Sequence, residues 1–260
     1  MVFILTSSIV QAAPKADLWE RWLGYSVDSK IIVDHKVLDD FLSNYTLEDS
    51  HGNRLIKYAS VTKQDKKDLD DYIKRLAAVD PASLNRNEQF AFWVNFYNVL
   101  TIQLILDNYP IESIAKLGGF FSFGPWDKKI TSVMGEELTL NDIEHRILRP
   151  IWKDNRIHYV VNCASMGCPN IGKRAFAAEN RDAQLDAAAK EFINASKGVR
   201  VSGSTLVLSK IYQWYSEDFG TLDTLMEHLS RYREDPLLYT KQELTRLQVS
   251  FEYNWSLNEP

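Results

Sequence analysis

A long apolar helix places the strongest constraint on how this chain can fold. Residues 87–109 have apolar side chains around most of a helical circumference, and Pro110 ends the segment. These side chains are Phe90, Trp93, Val94, Tyr97, Leu100, Ile102, Leu104 and Ile105. A helix that is apolar on all sides has to be buried. The rest of the chain is therefore predicted to pack around it.

Two asparagines interrupt this apolar surface. Asn95 and Asn98 are three positions apart and therefore share a helix face. A buried amide needs hydrogen-bond partners. Two interpretations stay open: the pair tethers the backbone of a neighbouring loop, or it lines a binding site.

The remaining segments predict an α+β fold, mostly helical with a small, largely antiparallel sheet. Amphipathic helices are predicted over 17–24, 34–45, 62–78, 140–148, 181–194, 209–218 and 222–232, strands over 54–61, 156–163 and 248–257, and hairpins over 128–138 and 199–208. No linker-like tract divides the charged, globular sequence after its first residues. We therefore expect a helical lead-in at 13–60 and one main domain at 61–260.

The first residues resemble the second half of a signal peptide. Residues 2–10 are mainly apolar, and Val10 and Ala12 are the small residues that a signal peptidase reads before Ala13. The basic leader is missing, so residues 1–12 are interpreted as a signal peptide truncated at its start. This segment is too short to span a bilayer. We expect a periplasmic or secreted protein with no transmembrane segment in the mature chain.

Charge and glycine spacing narrow the classes of partner. The formal net charge is -5, and acidic and basic residues are interspersed. A protein that neutralises phosphates needs a basic stripe, so nucleic acid is not expected. The loop at 118–126 is glycine-rich and aromatic, with Trp126, but its spacing does not fit a phosphate-binding loop. The expected partner is a small-molecule or peptide ligand of unknown identity, and no cofactor is predicted.

The helix predicted from Leu140 brings a carboxylate into the core. At 100° per residue, Glu144 falls among the apolar side chains and His145 lies at the edge of the same face. An unpaired buried carboxylate costs several kcal/mol. Glu144 is therefore predicted to have a cationic or hydrogen-bonding partner.

Two cysteines follow the strand predicted over 156–163. Cys163 would stand at the end of this strand, with His158 and Asn162 on its other face. The residues between Cys163 and Cys168 are small or flexible, which allows a sharp turn. The pair suits either an exposed nucleophile or, in an oxidising compartment, a disulfide.

These segments together resemble the domain of unknown function 547 family. The resemblance lies in Phe92–Asn98, Leu140–His145, Asn162–Pro169 and Asn254–Leu257, in that order. It covers about two thirds of the chain, roughly from Asn85 to Phe219 with the terminal segment. The family has no general assigned activity, although similar domains occur beside redox or signalling modules. The resemblance implies a site that includes Asn95, Asn98, Glu144, His145, Asn162, Cys163 and Cys168.

The first functional hypothesis is a cysteine-dependent hydrolase or acyl/amide transferase. Cys163 would attack a carbonyl, and His145 or His158 would accept its proton. In the same scheme, Glu144 orients the imidazole, and Asn162 or loop amides stabilise the oxyanion.

The second hypothesis is a non-catalytic binding module. Here a structural disulfide joins Cys163 and Cys168, and Asn95, Asn98 and Trp126 line the ligand pocket together with Glu144 and His158. Metal binding by Cys163, Cys168 and His145 lacks a second close ligand pair, so no metal is predicted. The sequence does not decide between enzyme and binding module.

Overall fold

The computed structural model describes residues 13–119, 124–234 and 248–260. Its α-helices are α1 (Lys36–Tyr45), α2 (Lys63–Ala77), α3 (Arg86–Asn108), α4 (Arg149–Trp152), α5 (Arg181–Asn194), α6 (Lys210–Trp214), α7 (Ser216–Phe219) and α8 (Leu222–Tyr232). The strands are β1 (Thr46–Glu48), β2 (Arg54–Ile56), β3 (Thr131–Val133), β4 (Glu136–Leu138), β5 (Val199–Ser202), β6 (Thr205–Ser209) and β7 (Gln248–Glu252). The predicted signal peptide and the phenylalanines of the loop at 120–123 lie outside the described residues.

Helix α3 forms the centre of the protein, as predicted. The side chain of Asn85 caps its first turn by accepting from the N–H groups of Asn87 and Glu88. Every side chain from Glu88 to Ile105 is buried. The helix is long and apolar enough to cross a membrane, but 94% of its most apolar window is buried inside the protein. Packing by the rest of the fold accounts for its apolar circumference.

The sheets confirm an α+β fold that is mostly helical. Strands β1 and β2 pair antiparallel, as do β3 and β4. Strand β6 pairs antiparallel with β5 and parallel with β7, which places Thr205 opposite Gln248. Three of the four strand pairs in the described residues are thus antiparallel, and the β5–β7 sheet is mixed. The parallel pair brings the end of the chain back to the body of the domain.

Two apolar clusters fill the interior. The larger surrounds α3 and includes Trp22, Leu38 and Phe41 from the predicted lead-in. The smaller lies among α5, the β5–β7 sheet and α8, with Tyr159 and Phe192 at its centre. The segment between residues 140 and 168 passes from one cluster to the other. It carries most of the residues singled out from the sequence.

The prediction of a strand over 156–163 is wrong. Residues Asn155–Tyr159 form a 3₁₀ helix, and the chain to Cys163 is irregular. The Asp154 side chain accepts from the N–H of Arg156 and begins this tight turn. A local side-chain bond of this kind competes with a strand ladder. Cys163 is consequently held by a loop and not by the tip of a strand.

Candidate functional site

A π-helix brings one acidic and one basic side chain, those of Glu144 and His145, into the core together. Residues Asp142–Leu148 form this wider helix, which continues into α4. Glu144 and His145 are only 4% and 3% exposed. Adjacent residues turn by a smaller angle in a π-helix than in an α-helix, so both side chains point inward. Such helices are frequent at functional sites.

The buried Glu144 belongs to a network of charged groups. Its Oε1 lies 3.6 Å from Nδ1 of His158, and the other ring nitrogen, Nε2, lies 2.6 Å from Oδ2 of Asp218. Arg149 donates from Nε to the same Asp218 oxygen at 2.6 Å. The ring of Tyr215 stacks on His158, with centroids 3.8 Å apart. Neighbouring elements therefore supply the partners predicted for Glu144.

His145 faces a different partner. Its Nδ1 lies 2.9 Å from Nη1 of Arg149, which can only donate, so this ring nitrogen accepts. Arg149 also donates to the carbonyl of Pro14 at 2.7 Å, and the N–H of Asp17 donates to the His145 carbonyl. The first described residues therefore lie across this helix.

Burial and charge act in opposite directions on the ionisation of the network. Burial alone raises the pKa of Glu144, but the charges of His145 and His158 and the hydroxyl of Tyr215 outweigh it, giving a pKa of about 2. Burial lowers the pKa of His145 to about 4. Near neutral pH, Glu144 is thus an anion and His145 is neutral.

The second group of candidate residues surrounds the sulfur of Cys163, which is half-buried. This sulfur lies 2.9 Å from the hydroxyl of Tyr253, 3.2 Å from Oγ of Ser165 and 2.9 Å from the sulfur of Cys168. The hydroxyls of Ser165 and Tyr253 are also 2.8 Å apart. Cys168 is almost fully buried, at 4% exposure. Cys163 is thus partly accessible, whereas Cys168 is enclosed.

The two thiols ionise very differently. Burial raises the pKa of Cys163, but hydrogen bonds from Cys168, Ser165 and Tyr253 outweigh burial and hold its pKa below the ordinary value. Burial and the neighbouring Cys163 charge raise the pKa of Cys168 well above the ordinary value. The first proton to leave the pair therefore leaves Cys163, and Cys168 keeps its own.

The structural disulfide considered in the binding-module hypothesis is not formed. Both cysteines are free, and their sulfurs are 2.9 Å apart. A disulfide bond is ~2.05 Å long. The loop needs no covalent closure, because the N–H of Cys163 donates to the Cys168 sulfur at 3.0 Å and the N–H of Cys168 donates to the Ser165 carbonyl.

Backbone hydrogen bonds fix residues 162–169, the sulfur loop, which holds both cysteines. The N–H groups of Met166 and Gly167 donate to the carbonyls of Ser256 and Asn254, both at 2.8 Å. Ala164 has a φ of 54°, a left-handed conformation that costs energy in a residue other than glycine. A strained residue directly after a half-buried cysteine points to a functional loop.

Asn162 is fully engaged in shaping this loop. Its amide donates to the Pro169 carbonyl at 2.8 Å, and its oxygen accepts from the N–H of Ala164 at 2.9 Å. The N–H groups of residues 162, 163, 164, 166, 167 and 168 all have acceptors within the protein. The Asn162 amide and these six N–H groups are thus committed to loop structure.

Asn95 and Asn98 tether loop backbone, one of the two interpretations left open by the sequence. Asn95 exchanges hydrogen bonds with the N–H and carbonyl of Phe176. Asn98 donates to the Val160 carbonyl and accepts from the N–H of Asn162, both within 2.9 Å. Both residues also border a cleft of about 390 Å³, together with Arg54 and Phe176. This volume is in the range of small-molecule sites.

Trp126 belongs to a chain of aromatic rings that reaches the sulfur loop. Its ring centroid is 5.7 Å from that of Trp255, which lies 4.6 Å from Tyr253 and 5.4 Å from Trp214. All four rings are half-buried. The ring whose hydroxyl contacts Cys163 is therefore braced by tryptophans.

The structure does not join the two groups through a hydrogen bond between cysteine and histidine. The bonds of the Cys163 sulfur described above go to Ser165, Cys168 and Tyr253, while His145 and His158 bond Arg149 and Asp218. The two groups nevertheless interact through charge, because the Glu144 carboxylate opposes ionisation of the Cys163 thiol. Burial and the charges of Glu144 and Cys163 together raise the pKa of Tyr215 well above its ordinary value. Among the described residues, no three His, Cys, Asp or Glu side chains are placed to hold a metal ion.

Sequence reasoning missed several members of the site: Arg149, Ser165, Tyr215, Asp218 and Tyr253. The position of Ser165 between the two cysteines is a signal that could have identified it. Tyr253 directly precedes the segment at 254–257 that carries the family resemblance. Asp218 and Arg149 carry no local signal, because their roles depend on a contact across 69 residues of chain.

A family model matches the middle of the chain. Residues 81–193 match the family described as "Protein of unknown function, DUF547". No curated protein and no solved structure is significantly similar to the chain. The matched stretch includes α3, the π-helix and the sulfur loop.

Proposed function

We propose that this protein, which carries a DUF547 domain, is an exported cysteine-dependent enzyme with Cys163 as its nucleophile. The reaction class is hydrolysis or transfer at an acyl or amide carbonyl. One observation carries the proposal: the sulfur of the half-buried Cys163 lies within hydrogen-bond distance of the hydroxyls of Ser165 and Tyr253, which can donate to it, and 2.9 Å from the Cys168 sulfur. A thiolate is the reactive form of cysteine, and such donors stabilise it.

The donors, and not a histidine, would activate Cys163. The nearby Glu144 charge opposes thiolate formation, yet the pKa of Cys163 is still lowered. The hydrogen bonds from Cys168, Ser165 and Tyr253 therefore dominate. In this version of the hypothesis, His145, His158 and Glu144 position the surrounding elements and do not accept the thiol proton.

The chemistry then needs a proton donor for the leaving group. The Cys163 sulfur forms a bond to the carbonyl carbon, the bond to the leaving group breaks, and Tyr253 can protonate that group. Burial and the Cys163 charge keep the pKa of Tyr253 well above its ordinary value, so its hydroxyl is protonated near neutral pH. Water or a second acceptor then gives a proton to Tyr253 and attacks the thioester carbonyl; the carbon–sulfur bond breaks, which regenerates the Cys163 thiolate.

The proposal is tested with iodoacetamide and with p-nitrophenyl acetate. In the folded protein, alkylation of Cys163 should set in at lower pH than the ~8.5 of an ordinary thiol, as located by peptide mass spectrometry. The ester should release one equivalent of p-nitrophenol in a burst and leave an acetyl group on Cys163. Cys163→Ala should abolish both signals.

Two outcomes contradict the enzyme. One is alkylation of Cys163 that is no faster in the folded protein than in the chain unfolded in urea. The other is a p-nitrophenol burst that survives in Cys163→Ala. Ser230→Ala is a matched control, because this hydroxyl donates to the Glu227 carbonyl within helix α8, away from the site. It should leave both signals unchanged.

The committed amides of the sulfur loop favour a second candidate, the non-catalytic binding module. An acyl-transfer site needs donors for its oxyanion, and the loop N–H groups named above are already bonded. The ligand would then occupy the 390 Å³ cleft bordered by Asn95 and Asn98. No acetyl-enzyme in the burst experiment, with normal folding, would support this candidate.

Export is the part of the proposal that rests on sequence alone. Its support is the apolar start of the chain and the small residues Val10 and Ala12. When the full chain is expressed in a Gram-negative bacterium with a complete leader added, we expect periplasmic protein that begins at Ala13. N-terminal sequencing of the fractionated protein measures this, and cytoplasmic protein with an intact leader would contradict export.

A further inference from the structure

We infer that Cys163 and Cys168 form a reversible dithiol pair, in which Cys163 attacks a small disulfide and Cys168 resolves the product. This activity rests on the proposed role of Cys163 as a nucleophile and extends it to a second substrate class, disulfides of small thiols. Its product would be a bond between the two sulfurs that the structure shows 2.9 Å apart and unbonded.

The geometry gives the two sulfurs unequal access. Cys163 is half-buried, whereas Cys168 is 4% exposed. An external disulfide can therefore meet the Cys163 sulfur first. Cys168 can only be reached from within the loop, which is the position of a resolving thiol beside a reactive one.

The distance favours ring closure without a large rearrangement. Reaching a disulfide length from 2.9 Å takes a movement of less than ~1 Å. The N–H of Cys163 already donates to the Cys168 sulfur at 3.0 Å. The loop is thus held closed while both thiols are free.

The surroundings fit attack on sulfur better than attack on a carbonyl. Attack on a disulfide produces a thiolate leaving group and no oxyanion, so the site needs no free loop amides. Lys197 provides a positive charge that favours the thiolate form of Cys168. Its Nζ is anchored on Oδ1 of Asn170 at 2.8 Å, two residues after Cys168. The charge of Lys197 therefore favours the second step, in which Cys168 loses its proton.

The reaction balances in two steps. The Cys163 thiolate bonds to one sulfur of the small disulfide, the sulfur–sulfur bond breaks, and one small thiolate leaves. Cys168 then gives its proton to that thiolate, and its sulfur bonds to Cys163 and expels the second small thiolate. The two protein thiols are oxidised, and the small disulfide is reduced to two small thiols.

Oxidised glutathione is the probe for this activity. Incubation of the folded full chain should remove both protein thiols, release two equivalents of reduced glutathione and give a peptide crosslinked between Cys163 and Cys168. In Cys168→Ala the reaction should stop at one glutathione on Cys163. In Cys163→Ala, the buried Cys168 should remain free.

The outcomes separate this inference from the proposed enzyme. A glutathione adduct that persists on Cys163 in the unmodified chain would overturn the resolving role, although fast alkylation of Cys163 would leave the nucleophile intact. A crosslink that reduced glutathione cannot reopen in the folded protein would show a structural staple and overturn reversibility. No adduct together with slow alkylation would overturn both proposals.

The unmodified chain supplies a readout that does not depend on any variant folding. When the crosslinked protein is treated with excess reduced glutathione, both thiols should return, and with them the rate of Cys163 alkylation. We expect that rate to fall at least ~10-fold on oxidation and to recover fully, because a disulfide sulfur offers no thiolate to an alkylating agent. An alkylation rate that is unchanged by oxidation would contradict the inference.

Discussion

The charged network around Glu144 and the sulfur loop around Cys163 are built from different kinds of side-chain contact. In the network, buried charges are matched by opposite charges, as with Arg149 and Asp218 at 2.6 Å. In the loop, the sulfur of the half-buried Cys163 is contacted by neutral groups, the hydroxyls of Ser165 and Tyr253 and the sulfur of Cys168. Paired charges hold a fold in place, whereas neutral donors leave a thiolate available to react.

Removing Asp218 should cause the largest loss of stability, because it breaks the charged network. Asp218→Ala leaves Arg149, which is 2% exposed, without its carboxylate, and an uncompensated buried charge costs ~3–5 kcal/mol. Urea unfolding measures the loss. Alkylation of Cys163 in the folded fraction should keep its pH dependence, since Asp218 does not contact the sulfur.

The neighbouring Glu217→Ala is the matched control for this change. Glu217 pairs with Lys15 at 3.7 Å, and both side chains are more than half exposed. Exposed pairs of this kind contribute less than ~1 kcal/mol. Equal losses in the two variants would show that the buried network has no special part in stability.

Lowering the pH should destabilise the charged network before it affects the sulfur loop. His145 is neutral in the folded protein down to its lowered pKa of about 4, whereas in the unfolded chain it binds a proton below ~6.5. The unfolded state therefore gains protons first as pH falls from 6.5 to 4, and stability falls with it. Between pH 7 and 5, His145 alone should account for a loss of ~2 kcal/mol.

Urea unfolding of His145→Gln at pH 7 and pH 5 checks this pH dependence. The variant should lose less stability than the unmodified protein over that interval. His51→Gln is the control, because this side chain is 78% exposed. Parallel curves for the unmodified protein and His145→Gln would refute the assigned role of His145.

Gly167 is where the sulfur loop is most crowded. A Cβ there would lie 2.8 Å from the Asn254 nitrogen and 2.9 Å from the Tyr253 ring. Gly167→Ala should therefore cost ~1–3 kcal/mol and displace Tyr253 from Cys163, which slows alkylation. Gly24→Ala, whose new Cβ meets only the Ala82 side chain at 3.3 Å, should cost less and leave alkylation unchanged. A Gly167 variant with normal stability and reactivity would contradict the close contact.

Tyr253→Phe should give the smallest and most specific change. It removes one donor from the thiolate, so the pKa of Cys163 should rise by ~1 unit or less, with little loss of stability. The pH dependence of iodoacetamide alkylation measures the shift. Tyr232→Phe, which removes a hydroxyl bonded to Asp186 at 2.7 Å, should leave the curve in place. An unshifted curve for Tyr253→Phe would assign the activation of Cys163 to other groups.

Periodicity predicted the longer helices well because their signals are local, whereas the helix predicted over 17–24 is only a 3₁₀ turn at Glu20–Trp22. The apolar circumference of α3 and the amphipathic pattern of α5 each indicate burial without knowledge of a partner. The same reasoning placed Glu144 in the core. It failed for residues 156–163, where apolar alternation suggested a strand and the side chain of Asp154 began a 3₁₀ turn instead.

The site was less predictable because its contacts join distant parts of the chain. Cys163 and Cys168 were recognisable as a pair, but Tyr253 reaches Cys163 across 90 residues. Asp218 meets His158 across 60 residues. A π-helix also has no simple apolar period, so the full burial of His145 did not follow from a wheel at 100° per residue.

The anchoring of the sulfur loop on residues 254–258 determines how the protein can be dissected. Tyr253, Asn254 and Ser256 all lie beyond the family-matched stretch, which ends at residue 193. A recombinant fragment cut to that stretch would contain both cysteines but lack the hydroxyl and the carbonyls that orient them. For cloning, mutagenesis or fusion design, the smallest meaningful unit therefore extends to the carboxyl-terminal residues.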